Sequence, residues 1–154
     1  MARRIAFAAD HAGVQLKAAL FEQCRAAGYE VLDLGTQGDD RVDYPDYAAA
    51  GARAIQDEQC DRAVLVCGSG IGMAMTANRF EGVRAVVAGY EAQARLARAH
   101  NDANVLCLGQ RLTGPELAGS ILRVFLETEF EGGRHAGRVI KLEECGGHPA
   151  SSGG

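Results

Sequence analysis

Several features that identify common protein classes are missing from this sequence. Among its 154 residues, no apolar run is long enough to cross a bilayer, so no membrane contact is expected. The formal net charge is -4, so nucleic-acid binding, which needs a basic face, is not expected either. The first residues lead directly into a strand-like run and leave no room for an export signal. The expected location is therefore the cytoplasm.

Metal-binding and disulfide patterns are missing as well. The chain has five cysteines, an odd number, and no pair of them has the spacing of a zinc motif. Structural disulfides are not expected in a reducing compartment, and most of the cysteines are expected to be small buried hydrophobes. The four histidines also lack metal-ligand spacing: His11, His100, His135 and His148. We therefore expect neither a metal nor another cofactor.

What is present is a regular alternation of short apolar runs and amphipathic stretches. The runs predict strands at residues 4–9, 30–34, 63–67, 83–88 and 105–108. This alternation indicates an α/β fold with a five-stranded parallel sheet and helices on both faces, in three layers. Among the expected helices, one covers 47–56 and the last covers 113–127, with Thr113 as its cap. One domain is expected over residues 1–143, and 144–154 is expected to be a disordered tail.

The third predicted strand leads into a glycine-rich loop. Ligands of such folds bind beyond the carboxyl ends of the strands. Cys67 ends this strand, and Gly68-Ser69-Gly70-Ile71-Gly72 follows it before a helix. Glycines at alternate positions let backbone N–H groups converge on an anionic oxygen, and the same field favours the thiolate of Cys67. A thiolate beside such a loop suits proton abstraction next to a carbonyl. The alternative is a buried core cysteine before a glycine turn.

Two other connections contain polar residues that suit a ligand. Asp10 and His11 follow the first strand, where they can meet a polar ligand, unless Asp10 simply caps the next helix. His100 and Asn101 lie before the fifth strand. There, His100 can move protons at neutral pH, or the polar residues can simply form a turn.

Three arginines are candidate phosphate ligands. If the segment around them is helical, Arg134 and Arg138 share one face, where two guanidinium groups can grip a phosphate. Arg111, after the fifth strand, is a third candidate cation. The alternative is a solvated basic patch, which is the usual state of surface arginines.

Six motifs, taken together and in this order, resemble one family. They are Ala9-Asp-His-Ala-Gly13, Asp43-Tyr-Pro45, Cys67-Gly-Ser-Gly-Ile-Gly72, Ala77-Asn-Arg79, His100-Asn-Asp-Ala-Asn104 and Glu131-Gly-Gly-Arg-His135. The set is similar to the type B ribose-5-phosphate isomerases, in the family that also holds galactose-6-phosphate isomerase subunits. An ordered set of this kind is far more specific than any one of its motifs.

The resemblance implies a Rossmann-like, metal-independent homodimer, or a tetramer, in which two subunits contribute to each site. The implied reaction interconverts D-ribose 5-phosphate and D-ribulose 5-phosphate through a cis-enediol, in the pentose phosphate pathway. Cys67 is implied to be the base, and His100 the acid that opens the furanose ring. Ser69 is implied to help the loop hold the enediolate oxygen. The residues implied to contact the substrate are Asp10, His11, Tyr44, Gly68, Ser69, Gly70, Ile71, Gly72, Asn101, Arg111, Arg134 and Arg138.

Two other functions stay open on the sequence alone. The first keeps the chemistry and changes the substrate to galactose 6-phosphate, allose 6-phosphate or a tetrose phosphate, because pocket depth cannot be read from one sequence. The second is a non-catalytic module that binds a sugar phosphate or a nucleotide without turnover. Cys67 and His100 argue against the second function, because binding alone needs neither a thiolate nor a proton donor.

Overall fold

The computed structural model describes residues 2–146. Its strands are β1 (Arg4–Ala9), β2 (Glu30–Asp33), β3 (Arg62–Cys67), β4 (Ala85–Val87) and β5 (Val105–Gly109). Its helices are α1 (Val14–Ala26), α2 (Tyr44–Gln56), α3 (Ile71–Ala77), α4 (Glu91–Asn101), α5 (Pro115–Glu127) and α6 (Arg134–Glu144). The strands form one sheet in the order β2-β1-β3-β5-β4, and each neighbouring pair is parallel. The predicted α/β fold with a five-stranded parallel sheet is confirmed.

Two hydrophobic cores, one on each face of the sheet, give the fold its three layers. Alternate residues of β1 point to opposite cores. Ile5 and Phe7 pack with α1, α4 and α5, whereas Ala6 and Ala8 pack with α2 and α3. Because successive strand residues point to opposite faces, a strand covered on both faces has a continuous apolar sequence. This pattern is why the central strands are recognisable in the sequence.

Two helices begin at residues other than those predicted. Helix α2 begins at Tyr44 rather than at residue 47, and Pro45 lies in its first turn, where a missing N–H is tolerated. Helix α5 begins at Pro115, with Gly114 as its N-cap and no side-chain cap. The predicted Thr113 cap is therefore wrong, and Thr113 is buried instead.

Helix α6 is the element whose helical state the sequence left open. It contacts α4, and its Glu143 carboxylate pairs with Arg84 at 2.6 Å. It extends to Glu144, so the predicted tail begins inside a helix, while residues 147–154 of that tail lie outside the described part of the chain. Neither α6 nor any other helix of residues 2–146 is long and apolar enough to cross a bilayer.

The strand order places a switch point between β1 and β3. The chain passes from β1 to β2 on one side, and the next strand, β3, pairs with β1 on the other side. Open α/β sheets bind ligands at the carboxyl ends of strands where the winding direction reverses in this way. Asp10 follows β1 and Cys67 ends β3, so both residues lie at this point.

Candidate active site

A cavity of about 500 Å³ opens at this carboxyl edge of the sheet, and its volume is within the usual range for small-molecule sites. Its lining comes from the ends of β1, β3 and β5 and from the starts of α2 and α3. The predicted site residues that line it are Asp10, His11, Tyr44, Cys67, Gly68, Ser69, Ile71, Gly72 and Arg111. Residues from across the first three quarters of the chain therefore meet in one place.

The Cys67 sulfur faces the glycine loop. Cys67 lines the cavity, and its Sγ accepts a hydrogen bond from the Gly70 N–H at 3.1 Å. In the same loop, the Ile71 N–H donates to Ser69 Oγ at 3.3 Å. An N–H donor stabilises negative charge on the sulfur. Helix α3 has only seven residues, so the field at the sulfur comes from the loop N–H groups rather than from a long helix dipole.

Two glycines allow the loop to lie against the end of β5. Gly70 has a φ of +80°, and a Cβ at this position would lie 2.9 Å from the carbonyl carbon of Leu108. A Cβ on Gly109 would lie 2.6 Å from backbone atoms of Ser69. Side chains at these positions would push the loop away from the strand. The N–H contact to Cys67 therefore depends on two residues without side chains.

Asp10 and His11 are held by backbone N–H groups of nearby loops. Asp10 Oδ1 accepts a hydrogen bond from the Ala12 N–H at 2.9 Å, which makes a local turn. Helix α1 has no side-chain cap, so Asp10 does not cap it. His11 Nδ1 accepts from the Val42 N–H at 3.2 Å. In the neutral ring this contact assigns the proton to Nε2, which makes His11 a hydrogen-bond donor for a ligand.

Arg111 and Tyr44 flank the glycine loop. The Arg111 side chain packs against Gly68, where an added Cβ would lie 3.4 Å from its Nε, and the Arg111 N–H donates to the Gly68 carbonyl at 3.0 Å. The Tyr44 ring covers Gly72 so closely that a Cβ there would lie 2.5 Å from it. Arg111 therefore brings a positive charge to a loop that is already suited to an anion.

Four of the predicted site residues lie at the opposite, amino edge of the sheet: His100, Asn101, Arg134 and Arg138. Helix α4 runs back along the sheet, and Asn104, just after it, donates its backbone N–H to the carbonyl of Arg84 before β4. Because β3 is six residues long, the two edges are roughly 16 Å apart. Cys67 and His100 of the same chain therefore cannot act on the same substrate. Asn101 lines a different cavity, of about 400 Å³.

His100 lies against His135 at this amino edge. The two rings stack with their centroids 4.2 Å apart, and His100 Nε2 lies 3.9 Å from Glu131 Oε2. Burial lowers the pKa of His135, and the charges of His100, Arg134 and Arg138 lower it further, against the opposing effect of Glu131. Both arginines are exposed, so their positive charge is available at the surface near His100.

Comparison with known proteins identifies the family. The family model for the ribose/galactose isomerases matches residues 5–142. This chain belongs to the ribose/galactose isomerase family. Ribose-5-phosphate isomerase B of Escherichia coli strain K12 is 44% identical to it over 137 residues, which are 89% of this chain and 92% of that protein. The resemblance drawn from the six motifs is confirmed.

Solved structures of the same family share the fold. Ribose-5-phosphate isomerase B of Clostridium thermocellum superposes with a TM-score of 0.91 at 44% identity, covering 92% of this chain and 96% of that chain. The type B enzyme of Trypanosoma brucei superposes with a TM-score of 0.90 at 41% identity, covering 94% and 99% of the two chains. The expected Rossmann-like fold is therefore confirmed.

The cavity of this ribose/galactose isomerase also has an apolar rim that the sequence analysis missed. Met75 and Leu112 line it and are 70% and 71% exposed. Ile71, which was predicted, is 54% exposed and lies one helical turn before Met75. The spacing of four residues on α3 was the available signal for Met75. Leu112 directly follows Arg111, but nothing in its local sequence indicates a position on the rim.

Proposed function

We propose that this chain is an aldose–ketose isomerase that interconverts D-ribose 5-phosphate and D-ribulose 5-phosphate without a metal. The observation that carries the proposal is the Cys67 sulfur, which lies 3.1 Å from the Gly70 nitrogen at an open cavity. Relatives that bear the name ribose-5-phosphate isomerase B support the choice of substrate. All five cysteines are free, which suits the reducing cytoplasm where we propose that the enzyme acts.

In the proposed mechanism, Cys67 acts on the open-chain sugar. The thiolate removes the proton from C2 of the aldose, and the electrons of that C–H bond move toward the C1 carbonyl oxygen to give a cis-enediolate. The loop N–H groups and the Ser69 hydroxyl hold this oxygen while it carries the charge. The Cys67 thiol then returns the proton to C1, while the proton of the C2 hydroxyl passes to the negatively charged C1 oxygen. C2 thereby becomes the ketone and C1 becomes a hydroxymethyl group, and Cys67 is a thiolate again.

The phosphate and the sugar ring need groups from both edges of the sheet. His11 and Arg111 lie at the cavity, while Arg134 and Arg138 lie at the amino edge with His100. His100 would donate a proton to the ring oxygen and so open the furanose before Cys67 acts. Because one subunit cannot bring these two sets together, we propose that a second copy supplies His100, Asn101, Arg134 and Arg138 to each cavity.

The apolar rim supports the proposed homodimer. Met75, Leu112 and Ile71 leave large apolar surfaces exposed beside a polar cavity, and such patches are typical of protein–protein contacts. A two-fold arrangement that places the amino edge of one subunit over the cavity of the other would cover the rim and complete two equal sites. A tetramer would be a pair of such dimers.

A substrate panel tests the reaction. We expect purified protein in excess chelator to convert ribose 5-phosphate to ribulose 5-phosphate. We also expect it to show lower kcat/KM on galactose 6-phosphate, allose 6-phosphate and a tetrose phosphate. A folded dimer that binds ribose 5-phosphate but does not move solvent deuterium into it would contradict the isomerase and indicate a binding module. Preference for another sugar phosphate would keep the chemistry and change the substrate.

Mixed dimers test the shared site. A dimer of one Cys67→Ala subunit and one His100→Asn subunit has one site with both residues intact and one with neither. Random pairing of the two inactive variants should therefore restore about a quarter of the wild-type activity. Refolding each variant alone is the matched control and should restore none. If the mixture stays as inactive as its parts, the two residues belong to one subunit or do not act together.

A further inference from the structure

Three side chains with metal-ligating atoms meet where α4 ends and α6 begins. They are His100, Glu131 and His135, and one ligating atom from each lies within 4.8 Å of the others. His135 Nε2 is 3.5 Å and His100 Nε2 is 3.9 Å from Glu131 Oε2. The sequence predicted no metal site because it has no local histidine spacing, but here the fold joins two segments that are separate in the sequence.

These distances are close to those between the ligands of one zinc ion. Zn–N and Zn–O bonds are about 2.0–2.2 Å, so two ligand atoms of a tetrahedral ion lie roughly 3.4 Å apart. The pair formed by His135 and Glu131 already has this spacing. The stacked ring of His100, whose side chain is 37% exposed, must turn for its nitrogen to point at the same ion.

His135 provides a second, independent observation. Its Nε2 is buried and has no hydrogen-bond partner among the described residues, and its side chain is only 8% exposed. Buried polar atoms without partners are rare in folded proteins. An ion at Nε2 would give this atom the partner that it lacks.

Backbone hydrogen bonds hold the two segments in place. The Glu131 N–H donates to the carbonyl of Ala99 in the last turn of α4 at 3.0 Å, and the His135 N–H donates to the carbonyl of Gly132 at 2.9 Å. The backbone of Glu131 and His135 is therefore fixed relative to the last turn of α4, which contains His100. Because the backbone positions of the three ligands are set in advance, ion binding needs only the rotation of the His100 ring and the ordering of the exposed Glu131 side chain, which limits the loss of conformational entropy.

We propose that His100, Glu131 and His135 bind one Zn²⁺ ion per subunit, with a fourth position open to water. Two imidazoles and one carboxylate suit zinc, whereas magnesium and calcium prefer all-oxygen sites. Arg134 and Arg138 repel a dication, so we expect micromolar rather than nanomolar affinity. The ion would engage His100, the proposed ring-opening acid, and therefore inhibit the enzyme. Only this inhibition rests on the proposed function.

Zn²⁺ titration of the full chain, stripped with chelator, tests the site without any substrate. Glu131→Gln and His135→Asn should each weaken binding at least about tenfold. The matched controls Glu144→Gln and His148→Asn should bind as the wild type does. Equal affinity in all five proteins, or no ion bound at one equivalent, would overturn the proposal. Glu131 is 60% exposed, so its variant should fold even if His135→Asn does not.

Cobalt and activity measurements separate the remaining outcomes. Co²⁺ bound at the site should give visible absorption bands but no sulfur-to-cobalt charge-transfer band. An intense charge-transfer band would show that a cysteine binds the ion and would overturn the proposal. Zn²⁺ at a concentration well above its dissociation constant from the titration should slow turnover of ribose 5-phosphate at least tenfold in the wild type and much less in Glu131→Gln. Binding without inhibition would support the zinc site and contradict the role of His100 in the proposed reaction.

Discussion

The two edges of the sheet are built in different ways. At the carboxyl edge, Cys67 and the loop that contacts it are neighbours in the sequence, and the decisive hydrogen bond joins residues three positions apart. At the amino edge, His100 meets Glu131 and His135, which lie about thirty residues further along the chain, Glu131 just before α6 and His135 in its first turn. One edge is therefore formed by local backbone geometry, and the other by the packing of two helices.

This difference separates the reaction into two parts. The carboxyl edge holds the proposed base and the groups that would stabilise the enediolate, which must be placed with high precision. The amino edge holds the proposed ring-opening acid and the arginines that would bind phosphate. Variants at the carboxyl edge should therefore lower kcat, while variants at the amino edge should slow ring opening or raise KM.

Removal of the Cys67 sulfur should have the largest effect. We expect Cys67→Ala to lower kcat by about a thousandfold, because the general base is lost. The free energy of unfolding should change by less than about 1 kcal/mol, because a small residue remains at the strand end. Steady-state kinetics and urea unfolding measure the two quantities. The matched control is Cys107→Ala, fully buried on neighbouring β5, which should lose stability and keep its turnover. Near-normal turnover of Cys67→Ala would show that another group is the base.

Thiol alkylation tests whether Cys67 is more reactive than the buried cysteines. Burial raises the pKa of the Cys24 thiol to about 12 and that of Cys60 to about 11, so neither should react at neutral pH. Cys67, which lines the cavity, and exposed Cys145 should react with iodoacetamide. Activity should fall with the labelling of Cys67 and not with that of Cys145, as followed by mass spectrometry. Inactivation that tracks Cys145 alone would argue against the proposed site.

Replacing the ring-opening acid should have the next largest effect. His100→Asn should slow turnover of ring-closed ribose 5-phosphate by about a hundredfold and that of an acyclic aldose phosphate much less. His148→Asn is the control for loss of a histidine. Equal slowing of both substrates would show that ring opening is not the task of His100.

Distorting the loop should have a smaller effect on rate. Gly70→Ala places a Cβ against Leu108 at a φ of +80°, so we expect kcat to fall about tenfold and the free energy of unfolding to fall by about 1–2 kcal/mol. Gly38→Ala has no atom within 4 Å of its added Cβ and should match the wild type in both. Unchanged kinetics in Gly70→Ala would mean that the N–H contact to the sulfur is not needed.

Removing a phosphate ligand should mainly affect binding. Arg138→Ala should raise KM by about three- to tenfold with little change in kcat, because phosphate contacts are made in both the ground state and the transition state. The matched control is Arg123→Ala, on the surface of α5. A lower kcat with unchanged KM would move Arg138 from phosphate binding to the reacting centre.

The smallest expected effect is on the pH dependence of stability at the carboxyl edge. Asp33 is partly buried, which opposes ionisation, but hydrogen bonds from Lys17, Gln37 and the Gly35 N–H outweigh this and lower its pKa. Because its pKa is lower in the folded than in the unfolded state, ionised Asp33 stabilises the fold at pH values above the ordinary carboxyl pKa. This contribution is lost as the pH falls through the folded-state pKa. Asp33→Asn should therefore unfold with a shallower acid dependence than Asp39→Asn, as measured by urea unfolding between neutral pH and pH 3. If the free energy of unfolding had the same pH dependence in both variants, the ion pair of Asp33 with Lys17 would not contribute to stability.

The sequence by itself determined the sheet and the carboxyl edge. Strands covered on both faces are continuous apolar runs, so their positions are visible without a structure. The chemistry around Cys67 is visible for a similar reason, because backbone N–H groups of a glycine loop act on the residue that directly precedes them. The first residues of the helices were harder to predict from the sequence, because the proline-containing first turns of α2 and α5 have no side-chain caps.

Only the tertiary structure decided what happens at the amino edge. It showed that α6 is a helix that packs on α4, that His135 stacks on His100, and that these groups lie at the far edge from Cys67. The positions of the rim residues Met75 and Leu112 were decided in the same way. The physical reason is that a contact between distant segments depends on how whole elements pack, which no short stretch of sequence encodes.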